Sequence, residues 1–133
     1  MLHAIFRGPL ARTAWAILLA LATVVTLVYA FAPLSNPVLG TRFDKLNHLM
    51  AFACLGFCGA LATTGPRLPQ RPAMVIALVA LGALIEVVQS FIPHRQSEWL
   101  DLLADCFGLA IGHGLAATVA GLWPEPATRP PSD

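Results

Sequence analysis

Three short polar stretches interrupt an otherwise apolar chain, and they carry side chains able to move protons or hold ions. They are Asp44-Lys45-Leu46-Asn47-His48, Glu86-Val87-Val88-Gln89-Ser90 and Asp101-Leu102-Leu103-Ala104-Asp105. Carboxylates beside an imidazole suit general acid–base catalysis. Glu86, Asp105 and His48 are the candidate catalytic groups. Arg95 adds a planar fork that matches a phosphate or carboxylate, and with Asp101, Gln89, Lys45 and Asp44 it makes the candidate substrate-binding set.

Each group also has a plainer role. Asp44 suits a positive helix N-terminus, and Lys45 can extend its ammonium to the membrane surface. His48 can simply bond a neighbouring helix, or it can carry a proton near neutrality. An ionisable residue inside a membrane is a functional candidate by default, which makes Glu86 the strongest; bonded to Gln89 or His48 it can instead be structural. Asp101 and Asp105, one turn apart, repel if both are ionised, unless they share a proton or a cation. Asp101 can also serve the first turn of a helix capped by Ser97. His94 and Glu98 read as solvated loop residues, and His113 as a satisfied core histidine about 80° off the Asp105 stripe.

The elements that position these groups must cross a membrane. The 133-residue chain is 57% hydrophobic and only 11% charged, and its mean hydropathy is +0.72. A soluble domain carries roughly 25% charged residues, so this one has too few to cover a water-facing surface. A net charge of +1 leaves no basic footprint for nucleic acid. Cys54, Cys58 and Cys106 lie in apolar runs and are odd in number, which opposes a disulfide framework. His48, Glu86, Asp101 and Asp105 could supply ligands for metal-assisted hydrolysis. With no HExxH or paired-histidine spacing, and no ligand partner at the depth of Cys54 and Cys58, that is a minor variant, and no metal and no cofactor is expected.

Four apolar runs, 13–33, 46–64, 73–92 and 100–123, each hold about 20 residues, enough to span a ~30 Å hydrocarbon core as helices. Asn36-Pro37, Gly65-Pro66 and Pro93 punctuate them. The expected fold is all-α: an integral membrane four-helix bundle over residues 1–123, with a Pro-rich disordered tail at 124–133. Ala30-Phe31-Ala32 resembles a signal-peptide end, but the run before it exceeds the usual apolar region, so segment one is expected to remain as an anchor. Arg7, Arg12, Arg67, Arg71 and Arg129 on one side outnumber Arg42, Lys45 and Arg95 on the other. That asymmetry places both termini in the cytoplasm and the 35–45 and 93–99 loops outside.

In this topology all three polar stretches share the outer face. Glu86 lies ~9 Å from its helix end, and His48 and Asp105 ~3 to 8 Å from theirs. Helical phase puts Asp101, Asp105, Gly108 and Gly112 on one stripe, Val79, Gly82, Glu86 and Gln89 on another, and His48, Phe52, Gly56 and Gly59 on a third. The expectation is that Gly82, Gly108 and Gly112 admit close helix approach, that the last three segments form the packed unit, and that segment one is more peripheral.

The combination of Asp44-Lys45, His48 and Phe52, then Glu86, Gln89, Phe91, Pro93 and Arg95, then Asp101, Asp105, Gly108 and Gly112 resembles the VanZ-like family. That family's prototype is associated with low-level teicoplanin resistance. The resemblance covers residues 44–112. Asp105 stands where the family pattern usually has Asn, which adds a charge to the cluster. The resemblance implies a bacterial inner-membrane protein acting on the cell envelope, with the bilayer and a lipid-linked envelope precursor as partners. Two other readings compete. One is an accessory protein that associates through its GxxxG stripe with itself or another membrane protein. The other is a small proton or cation pathway, opposed by the lack of carboxylates in the inner half.

Overall fold

The computed structural model describes residues 8–32, 44–64, 70–93 and 98–122. Four helices fill these spans: α1 (Pro9–Phe31), α2 (Asp44–Ala62), α3 (Gln70–Gln89) and α4 (Trp99–Leu122). Among the described residues there is no strand. All four are long and apolar enough to cross a membrane, as the hydropathy predicts. The expected 124–133 tail, Trp123 and the loop arginines lie outside the described residues.

The helices begin earlier than the apolar runs, for identifiable reasons. Pro9 occupies the first turn of α1 and Pro72 that of α3, positions where the missing N–H costs nothing. The end of α3 differs in the other direction, at Gln89 rather than residue 92. Beyond it Phe91 N donates to Val88 O at 3.1 Å and Ile92 N to Gln89 O at 3.0 Å. These tightened turns precede Pro93, which disfavours helical geometry at Ile92. Glu86 is therefore only ~5 Å from its helix end.

Packing is organised by one close pair, α2 with α4. A Cβ on Gly56 would meet Leu109 O at 2.9 Å, and one on Gly108 would meet Ala53 N at 2.9 Å. A Cβ on Gly112 would meet the backbone of Ala53 and Phe57. The backbones thus touch directly along a parallel run, and any larger side chain would separate them. Phe52 and Leu55, both fully buried, and Leu109 fill the adjoining core. The Gly108–Gly112 stripe is consequently occupied inside a single chain.

The other two helices flank this pair. α1 runs antiparallel to α2: Arg12 Nη1 donates to Thr64 O at 3.3 Å, and Trp15 meets Phe57 edge-on at 5.6 Å. Only 6% of the most apolar stretch of α1 is buried, against 39%, 28% and 33% for α2, α3 and α4. It is the least buried helix, but it packs along α2 more extensively than α3 packs against α2 or α4, so the last three segments do not form the separate packed unit that their stripes predict. α3 seals the far side, with Leu78 and Ile85 buried. Leu21, Val24, Val28, Ile76, Val87, Phe107 and Leu115 face outward and exposed, a surface suited to lipid tails.

Candidate functional site

The first turns of α2 and α4 and the last turn of α3 converge at one end of the bundle. His48 reaches from α2 between the other two. Its Nδ1 lies 2.9 Å from Asp105 Oδ1 on α4, and its Nε2 lies 3.8 Å from Glu86 Oε1 on α3. His48 and Glu86 are each 8% exposed and Asp105 is fully buried. The three candidate catalytic groups, separated by up to 57 residues in sequence, therefore form one carboxylate–imidazole–carboxylate row.

The row has a chemical direction. A ring that donates Nδ1–H to Asp105 turns Nε2 toward Glu86, as proton acceptor when singly protonated and as donor when doubly protonated. At 3.8 Å the His48–Glu86 contact is an ion-pair distance rather than a hydrogen bond, and a small approach of the two side chains would let a proton pass while Asp105 fixes the ring. This is the geometry in which an imidazole acts as general base with an orienting carboxylate behind it.

Asp105 owes its position to a glycine. Its Oδ2 is buried without a hydrogen-bond partner, and a Cβ on Gly82 would lie 2.6 Å from that oxygen. Gly82, expected to be a helix-packing residue, thus also makes room for the carboxylate. Gly82→Ala should push Asp105 off His48 and lower thermal stability by a few degrees, since overpacking costs typically 1–3 kcal/mol. A thermal melt in detergent checks this; a variant as stable as the parent contradicts it.

One turn nearer the helix ends lies a second tier. Lys45 Nζ is 2.5 Å from Glu98 Oε2 and 3.5 Å from Asp101 Oδ1. Glu98 N donates to Glu86 Oε2 at 3.2 Å, joining the tiers. Asp101 is 1% exposed, and Asp44 lies beside it and His48. Glu98 is half-exposed just before α4, as a solvated loop residue should be, but its contacts to Lys45 and Glu86 are what sequence reasoning missed. Its spacing of three before Asp101 was the available signal, since that puts it in the same helical turn.

Gln89 is also brought in, but for fastening: its Nε2 donates to Ala30 O at 3.1 Å, tying α3 to α1. Arg95, His94 and Ser97 lie outside the described residues. His113 is held by its own helix, with Nδ1 3.0 Å from Leu109 O, in keeping with a core role. It also lines a groove of about 460 Å³ with Thr64, Arg71 and Ala117 at the opposite end. Thr63 and Thr64 there bond back to Gly59 and Leu61 at 2.8 Å. That end has no counterpart to the carboxylate row among the described residues.

A protein-family model described as VanZ/LLP1 matches residues 8–120. The match takes in all four helices, whereas the motifs alone cover 44–112. No curated protein and no solved structure matches the chain.

Proposed function

Because the chain belongs to the VanZ/LLP1 family, we propose that it binds or modifies a lipid-linked component of the cell envelope at the polar end of its bundle. The observation that carries this reading is His48 set between Asp105 and Glu86. A bundle needs one polar bond to fasten two helices; an imidazole with a carboxylate at each nitrogen can also pass a proton. Among the described residues the end holds five carboxylates (Asp44, Glu86, Glu98, Asp101 and Asp105) against Lys45 and His48. That balance suits these residues to acid–base work on a hydroxyl or amine of the component rather than to holding its anionic group themselves. Arg95 is kept as the group that holds the component's phosphate or carboxylate from the adjoining loop.

The setting proposed is the bacterial inner membrane, with both termini cytoplasmic and the polar end facing outward, where a lipid-linked precursor is displayed. Glycopeptide tolerance is the proposed consequence. Orientation is testable on a cysteine-free background: a cysteine at position 67 should react only from the cytoplasm, and labelling from outside overturns it. The binding role is tested by lipid mass spectrometry on protein purified in native nanodiscs. Wild type should enrich a polyprenyl-linked lipid several-fold over bulk membrane, and Arg95→Lys should lose that enrichment. Equal lipid content in both removes the reading.

A second reading has its own observation. The His48–Asp105 and Gln89–Ala30 bonds each join two helices, which is what an accessory protein with purely structural polar groups would need. It predicts that conservative replacements act only through stability.

A further inference from the structure

We propose that Asp44, His48 and Asp101 form a binding site for one divalent transition-metal ion at the polar end of the bundle. The inference goes beyond the acid–base reading: with Nδ1 against Asp105, an ion would occupy His48 Nε2 and take the place of the proton passed toward Glu86, so ion binding and proton relay are alternative states of the same ring. One ligand atom from each of the three lies within 4.8 Å of the others. Donors held at about 2.1 Å around one ion in a tetrahedral arrangement lie about 3.4 Å apart. Side-chain rotations that draw the farthest donors together by up to about 1.4 Å close the set. The ligands come from two helices packed backbone to backbone, so the scaffold beneath them is rigid.

Two further observations point to an ion. Asp101 is 1% exposed, and its Oδ1 is buried with no hydrogen-bond partner. The cation near it is Lys45 Nζ at 3.5 Å, on a side chain 47% exposed. A buried carboxylate oxygen without a hydrogen bond is costly, and a coordinated cation removes that cost. His48 is oriented as metal-binding histidines are, with one ring nitrogen 2.9 Å from a carboxylate, Asp105, that fixes the ring. One imidazole and two carboxylates suit Mn²⁺ or Zn²⁺ and leave positions for water or substrate. The sequence offers His48 and Asp101 as possible ligands but, without a metal-binding spacing, predicts no metal; Asp44 joins them only in the fold.

Mn²⁺ is the appropriate probe, since it prefers oxygen and nitrogen ligands to the thiols of Cys54 and Cys58. Full-length protein in zwitterionic-lipid nanodiscs is titrated with Mn²⁺ and free ion is read by electron paramagnetic resonance. Wild type should take up one equivalent saturably. Asp44→Asn and Asp101→Asn should each weaken uptake at least tenfold while circular dichroism shows the helices retained. Lys45→Met, which removes the competing ammonium, should tighten it, and weakening there counts against the site. No saturable uptake by wild type overturns the proposal, as does unchanged affinity in Asp44→Asn, which decides the matter if Asp101→Asn fails to fold. The two readings fail separately: metal-free protein that still enriches the lipid removes only the ion, and bound Mn²⁺ without lipid enrichment removes only the envelope role.

Discussion

Gly112→Leu is expected to abolish the close pairing of α2 and α4 and to lower the melting temperature in detergent by roughly 10 °C or more. The cause is backbone contact. A Cβ at Gly112 would already collide with the Ala53 and Phe57 main chain, and neither helix can yield there without moving as a whole. Overpacking where a flexible side chain can shift costs about 1–3 kcal/mol; here nothing flexible stands in the way, so the cost is at the upper end or beyond. Gly114 and Gly121 serve as internal controls, because an added Cβ at either meets no atom within 4 Å. Gly114→Ala should melt like the parent, and Gly112→Leu melting with it would disprove the backbone-contact account.

If the proposed acid–base role holds, His48→Gln should reduce activity on the envelope component by about 10²-fold or more, the contribution of a general acid–base group. Glutamine can still bond Asp105 but cannot relay a proton from one end of its side chain to the other. The helices should stay together, because the glycine contacts do not depend on residue 48. Glycopeptide tolerance of a Gram-positive host expressing the variant, set beside its protein level, provides the readout. Near-parental tolerance at normal abundance would show that the imidazole is only a fastener.

Much of this architecture is legible in the sequence because lipid imposes strict rules. A span must be helical, about 20 residues long and almost free of charge, so four apolar runs translate directly into α1 to α4. The meeting of His48, Glu86 and Asp105 was also legible, because the topology puts all three in one layer and helical phase puts each on a glycine-bearing face. Less legible was which helices touch most closely. The motifs place segments two, three and four on equal terms, whereas the structure pairs α2 with α4 and lays α1 along α2. That choice depends on how Gly56, Gly108 and Gly112 interlock, and a linear sequence does not encode such a match between two faces. Glu98 was hidden for a related reason: it precedes its helix and looks like loop, yet its backbone N–H and side chain connect Glu86 to Lys45.

The accessory reading and the acid–base reading assign opposite meanings to the same buried groups, and Glu86 separates them. Glu86→Gln preserves shape and hydrogen-bonding capacity but cannot exchange a proton with His48. The decisive measurement is glycopeptide tolerance of cells carrying Glu86→Gln, with membrane abundance and melting temperature taken from the same cultures. An acid–base centre predicts that tolerance falls to the level of cells lacking the protein while abundance and melting temperature match wild type. Full tolerance in a normally abundant, normally stable variant would contradict it and leave the polar row as a fastening between helices.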